Sequence, residues 1–361
     1  MAALLRRRYL VVYKQTQQHA KEVFVDRGHP FQHGCLCAGK KYSNLVLEGG
    51  GVRGFAYVGA SEVLDSLGIL QQIERVGGTS AGAIQATLLA VGYTPAEMKK
   101  IAADIPLKDF NDGFFASGFS RMKKRFGFFK GEKITEWMNK LIEAKTGDRN
   151  ITFAQLHTQK QAKNYKDLYI TGTDLTYRTL RTFSFEQYPG MRIADALRIS
   201  FSIPLYFEPV LIDDSGHVRK DRANGTYHLM VDGGLLSNYP IQLFDAPRYM
   251  DDTSNSGLKI NPKTLGLLLD KPQQLQYAKG GVYPSKISTL HDYFRAVYES
   301  VIDKPNPDEP SLTRTVTISH LNLPGRVRKL KLSTINHLVE SGKAGIRLFF
   351  DANGGQYSTS R

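Results

Sequence analysis

Residues 44–54 are NLVLEGGGVRG, and residues 73–82 are IERVGGTSAG. The segments that open these two stretches, Asn44–Leu47 and Ile73–Val76, predict short strands. Each strand leads into a glycine-rich turn, and beyond each turn apolar residues recur at helical spacing up to a glycine stop. We therefore predict two strand–turn–helix units, the arrangement whose turns carry the functional sites of α/β sheets.

The second turn, GTSAG, has the G-x-S-x-G form of a nucleophile elbow, in which a serine oxygen is exposed on a tight turn between strand and helix. The first turn, GGGVRG, supplies a run of backbone N–H groups that can hold a developing oxyanion. Together the two turns predict an acyl-transfer site, with Ser80 as the nucleophile and an oxyanion hole formed by Gly49, Gly50 and Gly51.

Glycine-rich turns also bind nucleotides, so nucleotide binding has to be compared with acyl transfer. Gly49, Gly51 and Gly54 satisfy G-x-G-x-x-G, but the acidic residue expected at the end of the second strand is displaced, because Glu74 comes before that end. The lysine of a phosphate-binding loop is absent from residues 49–54. We rank nucleotide binding well behind acyl transfer.

A serine nucleophile needs a base, and Asp232 is the candidate. It follows the apolar stretch Tyr227–Val231 and precedes two glycines, so it lies at a predicted strand end on an open turn. Considered alone, an Asp-Gly pair is more often a simple turn. The histidines that a conventional triad could use are not in glycine-rich turns, and we expect them to be structural or surface residues: His228, His291, His320 and His337.

In this order, the segments GGGVRG, GTSAG and VDGG resemble the motifs of the patatin-like phospholipase family. Residues 171–175 and 195–204 resemble further parts of that family, so that most of the chain is covered. The resemblance implies an α/β fold with three α/β/α layers and a mostly parallel central sheet. It implies an N-terminal extension at residues 1–42, a catalytic domain at 43–350 and a C-terminal tail at 351–361.

The resemblance also implies the roles of the site residues. Ser80 and Asp232 would form a dyad without histidine, and Arg53 and Gly54 would support the oxyanion loop. The implied activity is that of a lipid acyl hydrolase, which cleaves fatty-acyl esters of phospholipids through an acyl-enzyme intermediate. One departure from the family is Phe201, which stands where smaller residues are usual and leaves the size of the acyl pocket in question.

Two alternative functions remain beside this interpretation. One is a hydrolase of soluble esters or thioesters that uses the same site. The other is a membrane-binding module whose site is vestigial, although an intact serine, aspartate and glycine loop argue against it. We expect no cofactor and no metal, since the C-x-C spacing of Cys35 and Cys37 is tighter than that of zinc ligand pairs.

Net charge favours an anionic partner, because 48 Lys and Arg residues against 34 Asp and Glu residues give +14. The densest basic cluster lies next to several phenylalanines, a composition that suits a phospholipid surface: Arg121, Lys123, Lys124, Arg125 and Phe126. A loop with core-facing rings and a solvated basic side explains this cluster equally well. Single-stranded nucleic acid would fit the composition too, but we expect no nucleic-acid partner. A second basic stretch, residues 326–332, alternates like a strand with one wet face.

Localisation follows from cysteine use and apolar runs. Two cysteines only two residues apart provide no disulfide framework, which favours a reducing compartment. The sequence contains no run of 18 or more apolar residues, so we expect no transmembrane helix. The apolar run near the N-terminus is too short for a signal peptide. We expect a cytoplasmic protein that associates peripherally with membranes, with export by an unconventional route left open and a protein activator as a further candidate partner.

Overall fold

The computed structural model describes residues 42–113, 115–220, 226–250, 260–270, 309–323, 325 and 329–352, with a few isolated positions between 287 and 300. The predicted N-terminal extension up to residue 41, which contains Cys35 and Cys37, lies outside these residues, as do residues 353–361 and His291. Tyr42 is buried, and its ring packs edge-on against Phe350, so the packed part of the chain includes Tyr42.

The sheet contains nine strands in the described residues. Eight follow the order β11-β10-β1-β2-β4-β9-β7-β8, and β5 pairs with β4 as well. The strands from β11 to β4 run parallel, whereas β5, β9, β7 and β8 are joined by antiparallel pairings. β3 and β6 form a separate two-stranded parallel sheet. The strand bounds are β1 Asn44–Leu47, β2 Arg75–Gly78, β3 Gly127–Phe129, β4 Asp167–Asp174, β5 Thr179–Phe183, β6 Leu205–Phe207, β7 Val210–Ile212, β8 Val218–Arg219, β9 His228–Asp232, β10 Thr264–Asp270 and β11 Thr315–Ser319.

Apolar cores lie on both faces of this sheet. Leu45 and Leu47 of β1 belong to the larger core, while Val46 between them belongs to a smaller one with Tyr169 and Phe244. This alternation is the period-two pattern of a strand that is buried on both faces. The mixed, mostly parallel sheet and its two covered faces confirm the predicted α/β fold.

Eleven α-helices occur in the described residues, together with short 3₁₀ turns such as Gly51–Phe55. No helix among them is long and apolar enough to cross a membrane. The helix bounds are α1 Ala56–Ser66, α2 Ala81–Ala90, α3 Pro95–Asp104, α4 Phe115–Arg125, α5 Glu132–Thr146, α6 Phe153–Thr158, α7 Lys160–Lys163, α8 Ile193–Ser200, α9 Gly234–Ser237, α10 Glu309–Leu312 and α11 Leu332–Ala352.

Strand β4 fixes the relative position of two strand ends, those of β2 and β9, which precede or carry candidate site residues. Ile170 pairs with β2 on one side and with β5 on the other. Gly172 pairs with β5 and with Asp232 of β9, so β9 lies on the same side of β4 as β2. β2 and β9 therefore meet end to end along β4, with Gly78 and Asp232 two β4 residues apart, or roughly 7 Å.

The last helix, α11, packs backbone to backbone against α1. A Cβ atom on Gly59 would lie 1.8 Å from the carbonyl oxygen of Val339, and one on Gly342 would lie 1.8 Å from that of Ala56. Only glycine permits helices to approach so closely. The helix starts at Leu332 and continues to Ala352, so the predicted tail from residue 351 begins at least two residues too early.

Two sequence predictions were wrong about local structure. Residues 329–331 form no strand, and Leu332 begins a helix, while residues 326–328 lie outside the described part of the chain. A loop was considered for the basic cluster at residues 121–126, but residues 121–125 belong to helix α4. Its residues follow the 3.6-residue period, which the interleaved rings and cations had hidden.

Candidate active site

The nucleophile candidate, Ser80, lies between β2 and α2 in a strained backbone conformation, with φ 51° and ψ −119°. A non-glycine residue in this region is costly and is retained where the surroundings enforce it. Glycines flank the turn because it presses on β1: a Cβ on Gly82 would lie 2.3 Å from the carbonyl oxygen of Leu47. The Ser80 side chain is only 9 % exposed, and the residue lines an internal cavity.

The base candidate, Asp232, is the last residue of β9 and is 1 % exposed. Its Oδ1 accepts a hydrogen bond from the Gly234 amide at 2.8 Å, and its own amide donates to the Ser202 carbonyl at 2.9 Å. A Cβ on Gly233 would lie 2.6 Å from Thr171 Oγ1, so glycine is needed directly after the aspartate.

The segment at the C-terminal end of α8 contacts both members of the candidate dyad. Ser200 Oγ accepts a hydrogen bond from the Ser80 amide at 2.9 Å, and Ser202 holds the Asp232 amide. The sequence motifs indicated Phe201 in this segment, but not Ser200. Nothing local to it indicates a partner 120 positions away.

The glycine-rich loop has its own set of contacts. The Gly49 amide donates to the Asn238 carbonyl at 2.9 Å, and the Val52 amide donates to that of Gly325 at 3.2 Å. Gly49 was predicted as an oxyanion donor, and this hydrogen bond corrects that prediction. In the described part of the chain, no acceptor is assigned to the amides of Gly50 and Gly51.

Asn238 and Glu48 clamp this loop to the sheet. Asn238 Nδ2 donates to Glu48 Oε1 at 3.0 Å and to the Gly49 carbonyl at 3.1 Å. Glu48 Oε2 in turn accepts from the Leu269 amide of β10 at 2.7 Å. Both residues were missed in the sequence, because an isolated Asn and Glu carry no signal of a partner about 190 positions apart.

Arg53 supports the loop by a direct contact. Its side chain is buried, and its Nε donates to the Gly50 carbonyl at 3.1 Å, alongside its own amide at 3.1 Å. Two bonds to one carbonyl fix the orientation of the peptide that carries the Gly51 N–H. Gly54 lies against the elbow, since a Cβ there would be 3.0 Å from Ala81 Cβ.

The histidines occupy different environments. His320, directly after β11, is buried with its Nε2 3.4 Å from Arg53 Nη1, so it contacts the arginine that holds the glycine-rich loop. His228 is buried between two carboxylates, with Nδ1 2.7 Å from Asp174 and Nε2 2.8 Å from Asp214. His337 lies exposed on α11. His320 is therefore a site neighbour that the sequence did not identify.

An apolar cavity of about 110 Å³ opens beside Ser80. Its walls come mainly from α2, α3, α5 and the segment after α8, and Phe201 is among them, as are Met98, Ile101, Trp137, Ile203 and Phe207. Gln85 is a polar exception, and its Nε2 already donates to Ser61 Oγ at 3.1 Å. The cavity suits a hydrocarbon chain whose polar end lies at Ser80.

The predicted basic cluster is divided by the fold. The guanidinium group of Arg121 is 11 % exposed and donates to the Phe128 carbonyl and, at 2.9 Å, to Ser117 Oγ. Arg121 and Arg125 both pair with Glu208, at 3.4 and 3.6 Å. Arg121 is thus a structural residue rather than the predicted membrane contact, whereas Lys123, Lys124, Arg125 and Phe126 are exposed.

The sequence model of the patatin-like phospholipase family matches residues 45–245, more than half of the chain. This chain belongs to the patatin-like phospholipase family. Ser80, Asp232 and the glycine loop all lie within the matched residues.

Relatives of this patatin-like protein come from viruses and bacteria. Protein YqhO of Bacillus subtilis is 36% identical over 219 residues, which cover 57% of this chain and 68% of YqhO. Protein R571 of Acanthamoeba polyphaga mimivirus is 35% identical over 56% of this chain and 61% of its own length. A protein named probable lipid hydrolase 463L, from invertebrate iridescent virus 6, is 31% identical over 56% of this chain and 63% of its own length. The chain thus matches somewhat under two thirds of R571 and 463L.

Solved structures agree with the patatin-like fold. VipD from Legionella pneumophila superposes with a TM-score of 0.53 at 17% identity, covering 87% of this chain and 67% of VipD. ExoU from Pseudomonas aeruginosa, solved in complex with SpcU, superposes with a TM-score of 0.50 at 21% identity, covering 87% of this chain and 53% of ExoU. Both likenesses concern the fold.

Within the residues that the structure describes, no group of three His, Cys, Asp or Glu side chains is placed to hold a metal ion.

Proposed function

We propose that this protein is a lipid acyl hydrolase that cleaves fatty-acyl esters of phospholipids through a Ser80–Asp232 dyad. One observation carries the proposal: the strained elbow presents Ser80 to an apolar cavity. The register of β4 supports it, because it brings the end of β9 to the end of β2. Family membership supports hydrolysis of a lipid ester, and a relative named as a probable lipid hydrolase agrees with it.

The proposed reaction uses only groups of this chain. Asp232 takes the proton of Ser80, whose oxygen attacks the ester carbonyl and forms a tetrahedral intermediate. The Gly50 and Gly51 amides donate to its oxyanion, where one such donor lowers the barrier by about 3–4 kcal/mol. The intermediate expels the alcohol, which takes up the proton, and water then releases the fatty acid from the acyl-enzyme.

The cavity supports a fatty-acyl substrate over a polar one. Apart from Gln85 and Ser80, its side chains are hydrocarbon or aromatic, so a charged or hydroxylated acid would lose its hydration without gaining hydrogen bonds. A soluble ester with a long acyl chain would fit the same cavity. Hydrolysis of phospholipids and of soluble esters therefore has to be compared directly.

The first experiment measures fatty-acid release from mixed phospholipid vesicles, with chelator present, by the native protein and by Ser80→Ala. Release by the native protein alone is expected, because only Ser80 forms the acyl-enzyme. Ser66→Ala, a change of an exposed serine on α1, is the matched control and should leave release unchanged. Release by Ser80→Ala at the native rate would refute the proposal.

The same assay tests the base. Asp232→Asn keeps the size of the side chain and removes its capacity to take a proton, so release should fall roughly 10³-fold or more. Asp65→Asn, on the exposed end of α1, is the control. Native turnover by Asp232→Asn would assign the base to another residue.

A further inference from the structure

An exposed apolar surface with a basic rim lies where α4, β3 and β6 meet. Its apolar members are Phe119, Phe126 and Leu205, which are 59 %, 40 % and 40 % exposed. β3 and β6 bring two of them together, because Gly127, directly after Phe126, pairs with Leu205. The rim consists of the exposed cations Lys123, Lys124 and Arg125 on α4. We call these six residues the docking surface.

The backbone of the docking surface is strained at Phe126, directly before β3, and at Leu205, the first residue of β6. Phe126 and Leu205 each have φ +65°, a left-handed conformation that glycine and asparagine adopt far more readily. Large apolar side chains at these positions are thus unfavourable for the backbone and for solvation at once. Strain of this kind is found where a side chain serves a function other than stability.

The docking surface borders the acyl cavity. Leu205 lies in sequence between Ile203 and Phe207, which both line the cavity. Rings also connect the two places: Phe119 contacts Phe128 at 5.5 Å, Phe128 contacts Phe129 at 5.0 Å, and Phe129 contacts Phe207 at 6.4 Å between centroids. An apolar path therefore runs from the protein surface to the wall of the cavity.

Partly buried charges hold this unit in place against the candidate active site. Glu208, after β6, pairs with Arg121 of α4. The guanidinium of Arg198 donates to the carbonyls of Lys130 and Glu208, and to Ser202 Oγ. Burial lowers the pKa of Arg198 to about 10, so it stays protonated at neutral pH. The docking surface and the segment that holds Asp232 are thus linked through one cation.

From these observations we infer that the docking surface inserts Phe119, Phe126 and Leu205 into the head-group region of an anionic phospholipid bilayer, beside the entrance of the acyl chain. The inference rests on the proposed lipid substrate. Exposed rings together with cations fit a surface of acyl chains and phosphates. A net charge of +14 adds long-range attraction to the same partner.

The test of the apolar part uses Phe126→Asn with Leu205→Asn, since asparagine tolerates the left-handed backbone. Thermal unfolding should occur at or above the native temperature, which separates loss of binding from loss of fold. Pelleting with vesicles of phosphatidylcholine and phosphatidylserine should fall about 10-fold. The matched control changes exposed apolar residues elsewhere, Val218→Asn with Leu312→Asn, and should bind as the native protein does.

The test of the rim neutralises Lys123, Lys124 and Arg125 to Gln. Binding to the same vesicles should fall about 100-fold, because each cation near an anionic surface contributes roughly a factor of five. The matched control changes three exposed lysines elsewhere to Gln and should bind vesicles as the native protein does. These lysines lie on α5, on α7 and at the end of β8: Lys140, Lys163 and Lys220.

Hydrolysis of a soluble ester distinguishes this inference from the proposed function. None of the six docking residues lines the cavity or contacts the dyad, so both variants should cleave a short soluble ester at the native rate. Native vesicle binding by both variants would overturn the inference, even if Ser80 proves to be the nucleophile. Reduced binding of single-stranded RNA with unchanged vesicle binding would overturn it too.

Discussion

Gly51 is the residue at which the glycine-rich loop tolerates least change. It has φ +54°, and a Cβ there would lie 1.6 Å from the carbonyl oxygen of Gly325. The loop is therefore fixed from two directions, by its own dihedral angles and by a segment that lies some 270 positions later in the chain.

We expect Gly51→Ala to abolish ester hydrolysis, because the loop has to move to relieve the contact with Gly325. Gly68→Ala is the control: φ is +68°, but nothing lies within 4 Å of its Cβ position. Gly68→Ala should reduce the free energy of unfolding by about 1–2 kcal/mol and keep full activity. Steady-state kinetics with thermal unfolding checks both; equal activity of the two variants would contradict the assignment of Gly51.

Residue-level roles were predictable where the signal was local. The motifs identified the elbow serine and the aspartate as candidates, and they indicated that glycine was needed around both. They could not show that Gly49 donates to Asn238 or that His320 meets Arg53, because such pairs form only when distant segments fold together. The structural role of Arg121 was not predictable for the same reason, because its partner Glu208 is 87 positions away.

At the scale of elements, α3 and α5 form one wall of the cavity, and a single carboxylate joins them. Glu97 completes the capping box of α3 with Thr94, and both of its oxygens accept from Lys145 of α5, at 2.7 and 2.9 Å. Hydrogen bonds from Lys145 and Thr94 lower the pKa of Glu97 from 4.5 to about 2.

We expect Glu97→Gln to reduce the free energy of unfolding by about 0.5 kcal/mol at pH 7, a small value because Glu97 is partly exposed and solvent screens the pair. The folded pKa lies below the unfolded one, so the contribution is complete above pH 4.5 and is lost as the pH falls towards about 2. Denaturant unfolding at pH 7 and pH 3.5 measures the difference between native and variant protein. A difference that grows at the lower pH would contradict this account.

Element types were largely predictable and sheet order was not. Apolar runs located β1 and β2 within two residues, since these signals lie within the element itself. The insertion of β10 between β1 and β11 joins Asn44 to Thr264, and no local pattern encodes that pairing.

For the molecule as a whole, the residues after 245 complete the same sheet. Beyond the part that matches the family, β10 covers one side of β1, β11 covers β10, and α11 packs on α1. Without them, β1 would expose a row of unpaired backbone groups beside the glycine-rich loop.

A chain cut after Met250 should therefore fail to fold, and we expect it to be insoluble when expressed. A chain cut after Ala352 keeps every described element and should unfold at the native temperature. Circular dichroism and solubility distinguish the two. A soluble, cooperatively unfolding product of the first cut would show that the C-terminal strands are dispensable.

The end-to-end meeting of β2 and β9 along β4 has a consequence for how such a chain can diversify. The spacing between serine and aspartate is set by two residues of a buried strand, and not by the length of the more than 50 residues that separate β4 from β9 in sequence. Insertions and deletions in that intervening segment can reshape the surface that meets a substrate. Where α8 and the residues up to Ser202 are kept, Ser80 and Asp232 keep the spacing that β4 gives them, so this surface can change around a fixed pair of strand ends.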